Sequence, residues 1–249
     1  MDYLQPDNYP NFYITVQDNN YKSDELKKLL DFILIEYELL FSKEILCKSK
    51  CTILNYVNKG YPQYIHSKSP QEIHLDVTSY DYYNWTTYQI SHELLHYILH
   101  QTSNGLPILS WFEETLCEAF SLYILNFCSD KWSDCLISKE YLDGKGDMLS
   151  YLSKALYATP NDGLKSCMNL SDLKHINSIS ESDRSQRLLE RNYIYRLFRQ
   201  YRNNIHLITN YRQYIIYDIF IDFDKWIQDT NNNEFIIELS KIQPKIIKA

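Results

Sequence analysis

His92-Glu93-Leu94-Leu95-His96 places two imidazoles around a carboxylate. In an α-helix the two histidines stand about 6 Å apart along the axis, at ~1.5 Å per residue, and share one face. Both rings can then reach a single zinc ion. Glu93 lies one residue further round, close enough to a metal-bound water to act as its general base. The stretch therefore predicts a helix that carries a hydrolytic metal site.

A second helix is predicted directly downstream. Ser110 and Glu113 form an S-x-x-E pattern, which predicts Ser110 as the N-cap and Glu113 as the N3 residue of a capping box. Glu114 then lies in the first turn on a different face, where it is the candidate third metal ligand. Glu118 shares the face of Glu114 and is predicted to accept a hydrogen bond from the N–H of a ligating histidine.

The connection between the two helices is short. Asn104-Gly105 is a turn pair, and Pro107 follows it two residues later. These residues end the first helix near Gln101 and reverse the chain before Ser110. We therefore expect Glu114 to return to the side of His96.

Residues 89–120 resemble the active site of the gluzincin metallopeptidases, in which HExxH is followed by a glutamate on the next helix. Trp111-Phe112-Glu113-Glu114 matches the W-x-x-E pattern of the aminopeptidase-type members. Glu118 matches an acidic residue that supports a histidine in thermolysin-like members. The resemblance implies a zincin-like fold with bound Zn²⁺. It implies four site residues, namely the ligands His92, His96 and Glu114 and the base Glu93.

Two features depart from that family. The gap between His96 and Glu114 is one residue shorter than the usual aminopeptidase spacing, and the G-x-M-E-N exopeptidase motif is absent. Other zinc families fit less well. The metzincin pattern needs glycine and histidine where Leu99 and Thr102 stand, and Cys51 lacks the glycine-containing loop of peptide deformylase.

Composition limits the classes of function. The 249 residues are 45% hydrophobic and 15% aromatic, which predicts a folded globular protein. A net charge of −7 argues against nucleic-acid binding. No apolar run approaches the ~20 residues that span a bilayer, and the N-terminus lacks a signal pattern. Six scattered cysteines indicate free thiols in a reducing compartment, so we expect a cytoplasmic protein that does not bind membranes.

The predicted fold class is α+β. Residues 1–104 form an N-terminal α/β lobe with a small mixed sheet that ends in the HExxH helix, and residues 105–249 form a mainly helical C-terminal lobe that carries the third ligand. The active-site cleft is expected between them. Predicted strands are 11–16, 51–57 and 72–77. Predicted helices are 23–41, 84–100, 111–128, 146–158, 182–201 and 210–228.

Two further expectations concern strand 72–77 and a series of arginines. Ile73, Leu75 and Val77 alternate with polar residues, which predicts a half-buried edge strand. Gluzincins pair such an edge with extended substrate backbone. The arginines at 184, 187, 191, 196, 199 and 202 are predicted to form a solvated helix face, with a carboxylate-binding clamp that holds a peptide terminus as the alternative.

The leading hypothesis is a zinc-dependent peptidase that acts on a peptide or protein substrate. One alternative is a scaffold that keeps the zinc fold and binds a partner without hydrolysis. Another is a narrowly specific regulatory protease that cleaves one cellular protein. Every catalytic position is intact, which argues against the scaffold.

Overall fold

The computed structural model describes residues 2–16, 22–157 and 163–245. These residues form an α+β fold with a five-stranded mixed sheet and a majority of helical residues. The strands are β1 (Tyr3–Leu4), β2 (Phe12–Thr15), β3 (Cys51–Asn55), β4 (Gln63–Ile65), β5 (Gln71–Leu75), β6 (Ile215–Ile216) and β7 (Phe220–Ile221). The α-helices are α1 (Ser23–Phe41), α2 (Lys43–Leu46), α3 (Tyr83–Thr102), α4 (Ser110–Asp130), α5 (Gly144–Tyr157), α6 (Leu170–Ile179), α7 (Leu188–Gln200), α8 (Phe223–Asp229) and α9 (Glu234–Ser240).

The chain divides into two compact units. One comprises Met1–Thr102 with Phe120–Ala155, and the other comprises Ser103–Ala119 with Leu156–Ala249. The predicted boundary at residue 104 would place all of 105–249 in one lobe, whereas residues 120–155 belong to the first unit. Aromatic contacts explain this: the rings of Phe120 and Tyr37 lie 5.2 Å apart, and those of Phe127 and Phe32 lie 5.4 Å apart.

The sheet of the first unit has the strand order β1-β2-β3-β5-β4. Strands β2, β3 and β5 are parallel, while β1 and β4 are antiparallel to their neighbours. The prediction that the strand at 72–77 lies at the edge is wrong, because β5 pairs with β3 on one side and β4 on the other. Within the described residues, the edge strand on this side is β4. Its three residues carry no alternation long enough to identify a strand from sequence.

Helix α3 is buried between its neighbours in the first unit. From Thr86 to Leu95 each of its residues is buried, which identifies a central rather than a surface helix. The ring of Tyr97 lies 5.4 Å from that of Phe12 in β2, and the hydroxyl of Tyr37 in α1 donates to the carbonyl of Ser91 at 2.7 Å. The sheet therefore holds α3 at the residue after His96, and α1 holds it at the residue before His92.

The second unit has an aromatic core around the start of α4. Trp111 is fully buried, and its indole N–H donates to the carbonyl of Ile219 at 3.0 Å. The ring of Phe112 contacts those of Tyr211, Phe223 and Trp226. These contacts tie the first turn of α4 to residues more than ninety positions away.

The predicted helix at 210–228 is wrong. A 3₁₀ segment, Arg202–Tyr214, is followed by the β6–β7 hairpin and then by α8. Tyr217 and Asp218 have φ of 52° and 56°, and two consecutive left-handed residues form the tight reversal typical of a hairpin. The side chain of Asp222 caps α8 by accepting from the N–H of Lys225. Every helix in the described part of the chain is too short or too polar to span a lipid bilayer.

Candidate metal centre

His92 and His96 lie one turn apart on α3 and turn their rings toward each other. Their Nε2 atoms are 3.2 Å apart, and the ring centroids are 5.0 Å apart. A tetrahedral ion bound at 2.0–2.1 Å separates two nitrogen ligands by about 3.3 Å. The spacing of the two nitrogens therefore fits two vertices of one tetrahedral metal site.

Glu114 joins the two histidines as a third donor. One ligand atom from each of the three side chains lies within 4.8 Å of the other two. His92 and Glu114 are buried, at 3% and 9% exposure, and His96 is partly buried. Two imidazoles and one carboxylate form a donor set that suits divalent first-row metal ions. The structure thus brings the three predicted ligands together.

Glu93 follows His92 in α3 and is buried at 3% exposure. A glutamate on a solvated helix face would be exposed, so burial excludes a purely surface role. A buried carboxylate is expensive unless its surroundings stabilise the charge. Its position beside the first histidine keeps Glu93 in the candidate site.

The connection into α4 is the predicted turn. Asn104 and Gly105 have positive φ of 50° and 80°, as the Asn-Gly pair indicates. The capping box, by contrast, is wrong. Helix α4 begins at Ser110 itself, and the carbonyl of Leu109 accepts from the N–H groups of Phe112 and Glu113.

The carboxylate of Glu113 is held by Arg212 instead of by the helix terminus. Nη2 of Arg212 donates to its two oxygens at 2.8 and 3.0 Å, and Nε donates at 3.1 Å. The hydroxyl of Tyr211 also donates to Glu113. A fork of this kind with a carboxylate is stronger than a hydrogen bond to one backbone N–H. It outcompetes the capping box that local sequence favours.

Electrostatics in this group follow from its burial. Burial raises the pKa of Tyr211 well above its usual value, and the neighbouring Glu113 carboxylate raises it further. Burial opposes the charge of Arg212, yet Glu113 and Tyr211 hold the Arg212 pKa above its ordinary value. The group therefore contains a neutral phenol and a charged guanidinium–carboxylate pair.

Glu118 is fully buried, and its ion-pair partner is Arg187. Oε1 of Glu118 lies 3.1 Å from Nη2 of Arg187 and 4.0 Å from Nε of Arg184. Among the described residues, Glu118 does not accept the predicted hydrogen bond from a ligating histidine. The prediction of a solvated arginine face is also wrong at two positions, because Arg187 and Arg191 are buried. An unshielded buried carboxylate attracts a cation, and Arg187 provides it.

Arg187 and Arg212 are the functional candidates that sequence reasoning missed. Each contacts α4 from a position far along the chain. The sequence contains no local pattern that links them to Glu113 or Glu118. The one signal in the sequence is the excess of carboxylates at the start of α4. It indicates that cationic side chains lie nearby but does not identify them.

No protein-family profile, curated protein or solved structure matches this chain.

Proposed function

We propose that this protein is a zinc-dependent peptidase in which His92, His96 and Glu114 hold the metal ion and Glu93 is the general base. The observation that carries the proposal is the grouping of the three ligand atoms within 4.8 Å of one another. The 3.2 Å distance between the two histidine nitrogens supports it further. The 3.2 Å distance suits direct coordination of one ion, whereas ligand atoms up to 4.8 Å apart must move closer together when the ion binds.

Zinc is the metal that the donor set supports best. Catalytic zinc sites use three protein ligands, and two histidines with one glutamate is one of their recurrent combinations. Three protein donors leave a coordination position for water, as hydrolysis requires. A structural zinc site would instead use four protein ligands.

When bound, a zinc ion lowers the pKa of its water ligand and polarises the carbonyl of the scissile bond. Glu93 would accept a proton from such a water and would then donate it to the departing amine. The burial of Glu93 keeps bulk water from competing for the proton. In this proposal His92, His96 and Glu114 bind the metal ion and fix its position, while Glu93 transfers the proton.

The edge of the sheet supports a peptide as the substrate. Strand β4 is the last strand of the sheet and belongs to the same unit as α3. The ring of Tyr64 in β4 lies 5.9 Å from that of His100, one turn beyond His96. We propose that an extended substrate adds to β4 by backbone hydrogen bonds, so the role expected for strand 72–77 passes to Gln63–Ile65.

A fluorescence-quenched peptide library tests the proposal with the wild-type protein. Cleavage that stops with a zinc chelator and returns with added Zn²⁺ is the expected result. Absence of cleavage across the library, together with capture of an intact protein by both wild type and Glu93→Gln, would favour the scaffold. Capture of one protein by Glu93→Gln and its cleavage by wild type would favour the narrowly specific protease.

A further inference from the structure

Glu114 lies in α4 between side chains that are anchored on both sides of it. Successive helix residues are about 100° apart around the axis, so Glu113 and Thr115 point to opposite sides of Glu114. Glu118 lies one turn further on, close to the direction of Glu114. The partners of these three neighbours therefore determine how α4 is rotated about its own axis.

Arg212 anchors the Glu113 side. Its guanidinium contacts both carboxylate oxygens of Glu113, and the two side chains are only 4% and 2% exposed. Tyr211 donates to the same carboxylate. A buried pair with this many hydrogen bonds has one favourable geometry, because any rotation of the helix would separate desolvated charges.

Arg187 anchors the opposite side. Its Nη1 donates to Oγ1 of Thr115 at 3.3 Å, and its Nη2 lies 3.1 Å from the carboxylate of Glu118. The same Nη2 donates to the carbonyl of Ser180 at 2.6 Å. One fully buried guanidinium thus joins two successive turns of α4 to a segment outside that helix.

Net stability does not explain two buried arginines at this place. Replacing a buried ion pair by apolar residues of similar volume is often neutral or stabilising, because desolvation cancels most of the attraction. The pairs do, however, define one orientation of the helix. A metal ligand needs such a definition, because coordination fails with small displacements of the carboxylate.

We propose that Arg187 and Arg212 are positioning residues for Glu114, which hold α4 in the rotation that presents this carboxylate to the metal ion. Neither arginine is a metal ligand. The inference rests on the proposed function, since it takes Glu114 to be a ligand. The inference adds that the affinity for the metal ion depends partly on two arginine side chains that do not contact it.

The test measures the Zn²⁺ dissociation constant of the full chain by competition with a chromophoric chelator. Two double variants, Glu113→Leu/Arg212→Met and Glu118→Leu/Arg187→Met, remove each pair without leaving a buried unpaired charge. Arg199→Met is the matched control, because Arg199 is exposed on α7 and stacks on Tyr195. We expect the dissociation constant to rise at least tenfold in both doubles and to stay unchanged in the control.

Thermal melting separates positioning from loss of fold. Doubles that melt like the wild type but bind Zn²⁺ at least tenfold more weakly support the proposal. Doubles that melt like the wild type and keep its dissociation constant overturn it. If a double does not fold, Arg187→Lys and Arg212→Lys replace it. They keep the charge but lose the planar fork, and the same tenfold criterion applies to them.

Failure of the proposed function gives a different result. A wild-type chain that binds no Zn²⁺ contradicts both proposals, because Glu114 is then not a ligand. A wild-type chain that binds Zn²⁺, with doubles that bind it equally well, contradicts the positioning role alone.

Discussion

The side-chain amide of Gln89 forms both backbone hydrogen bonds of Asp76. Oε1 of Gln89 accepts from the Asp76 N–H at 2.8 Å, and its Nε2 donates to the Asp76 carbonyl at 2.9 Å. Asp76 directly follows the end of β5, and Gln89 precedes His92 by about one turn of α3. The amide therefore takes the place of a neighbouring strand and sets the register between the sheet and the helix that carries both histidines.

Replacing Gln89 by alanine should destabilise the fold. The substitution removes both partners of the Asp76 backbone, and we expect the free energy of unfolding to fall by about 1–3 kcal/mol. Urea unfolding followed by circular dichroism measures it. Gln228→Ala, at an exposed helix position, is the control and should change little. Equal stability of Gln89→Ala and wild type would show that the amide does not contribute to the fold.

Replacing Glu93 by glutamine should separate catalysis from metal binding. The amide cannot accept the proton of the attacking water, so peptide hydrolysis should fall by about 10²–10⁴-fold. Zinc content should stay at the wild-type level, because Glu93 is not one of the three ligands. Steady-state kinetics and elemental analysis of the same sample measure the two quantities. Full activity in this variant would remove Glu93 from the mechanism.

Replacing Gly163 by alanine should be more harmful than replacing Gly105. Both glycines have positive φ, 63° and 80°, so alanine at either position lowers the free energy of unfolding by about 1 kcal/mol because of its left-handed backbone conformation. A Cβ at Gly163 would also lie 2.6 Å from Oε2 of Glu190, whereas a Cβ at Gly105 meets no atom within 4 Å. We expect the loss of unfolding free energy in Gly163→Ala to be at least twice that in Gly105→Ala. Equal losses in urea titrations would contradict the contact with Glu190.

Glu190 should make stability depend on pH. Burial raises the pKa of its carboxyl, while the N–H of Leu164, which donates to Oε1 at 3.0 Å, partly opposes the shift. The folded protein then retains a proton that the unfolded chain releases near pH 4.5. Unfolding free energy therefore falls as pH rises from that value through the raised folded pKa.

Replacing Glu190 by glutamine tests this pH dependence. The variant should be more stable than the wild type at pH 7, and the difference should shrink toward zero at pH 4. Urea midpoints of both proteins at both pH values measure this difference. The other carboxyl groups are the same in both proteins, so their effects on stability cancel. A difference that is the same at both pH values would mean that Glu190 does not carry the shift.

Much of the first unit can be predicted from the sequence, because its signals are local. Helices α1, α3 and α4 match their predicted ranges within one or two residues at each end, since long periodic apolar patterns define them. Strands β1 and β4 are not predicted, because two or three residues are too few to show the alternation of apolar and polar side chains that indicates a strand. The spacing of apolar residues in 210–228 is typical of a helix, so the sequence predicts a helix there. Two left-handed residues, Tyr217 and Asp218, form a hairpin turn instead.

The candidate site divides in the same way. The spacing of His92, His96 and Glu114 is a local property of two helices and one turn, so the sequence is sufficient to predict that they lie together. The partners of Glu113 and Glu118 are not local. Arg212 and Arg187 reach α4 only through the tertiary fold. The sequence instead predicts the helix N-terminus as the partner of Glu113 and a ligating histidine as the partner of Glu118.

The most direct test of the central claim is the zinc content per chain after exhaustive dialysis, measured by elemental mass spectrometry for the wild type, His96→Ala and Glu114→Ala. The central claim is that the side chains of residues 92, 96 and 114 bind one ion together. It predicts one zinc per wild-type chain, almost none in His96→Ala and a clear loss in Glu114→Ala. Wild-type zinc content in both variants would contradict it.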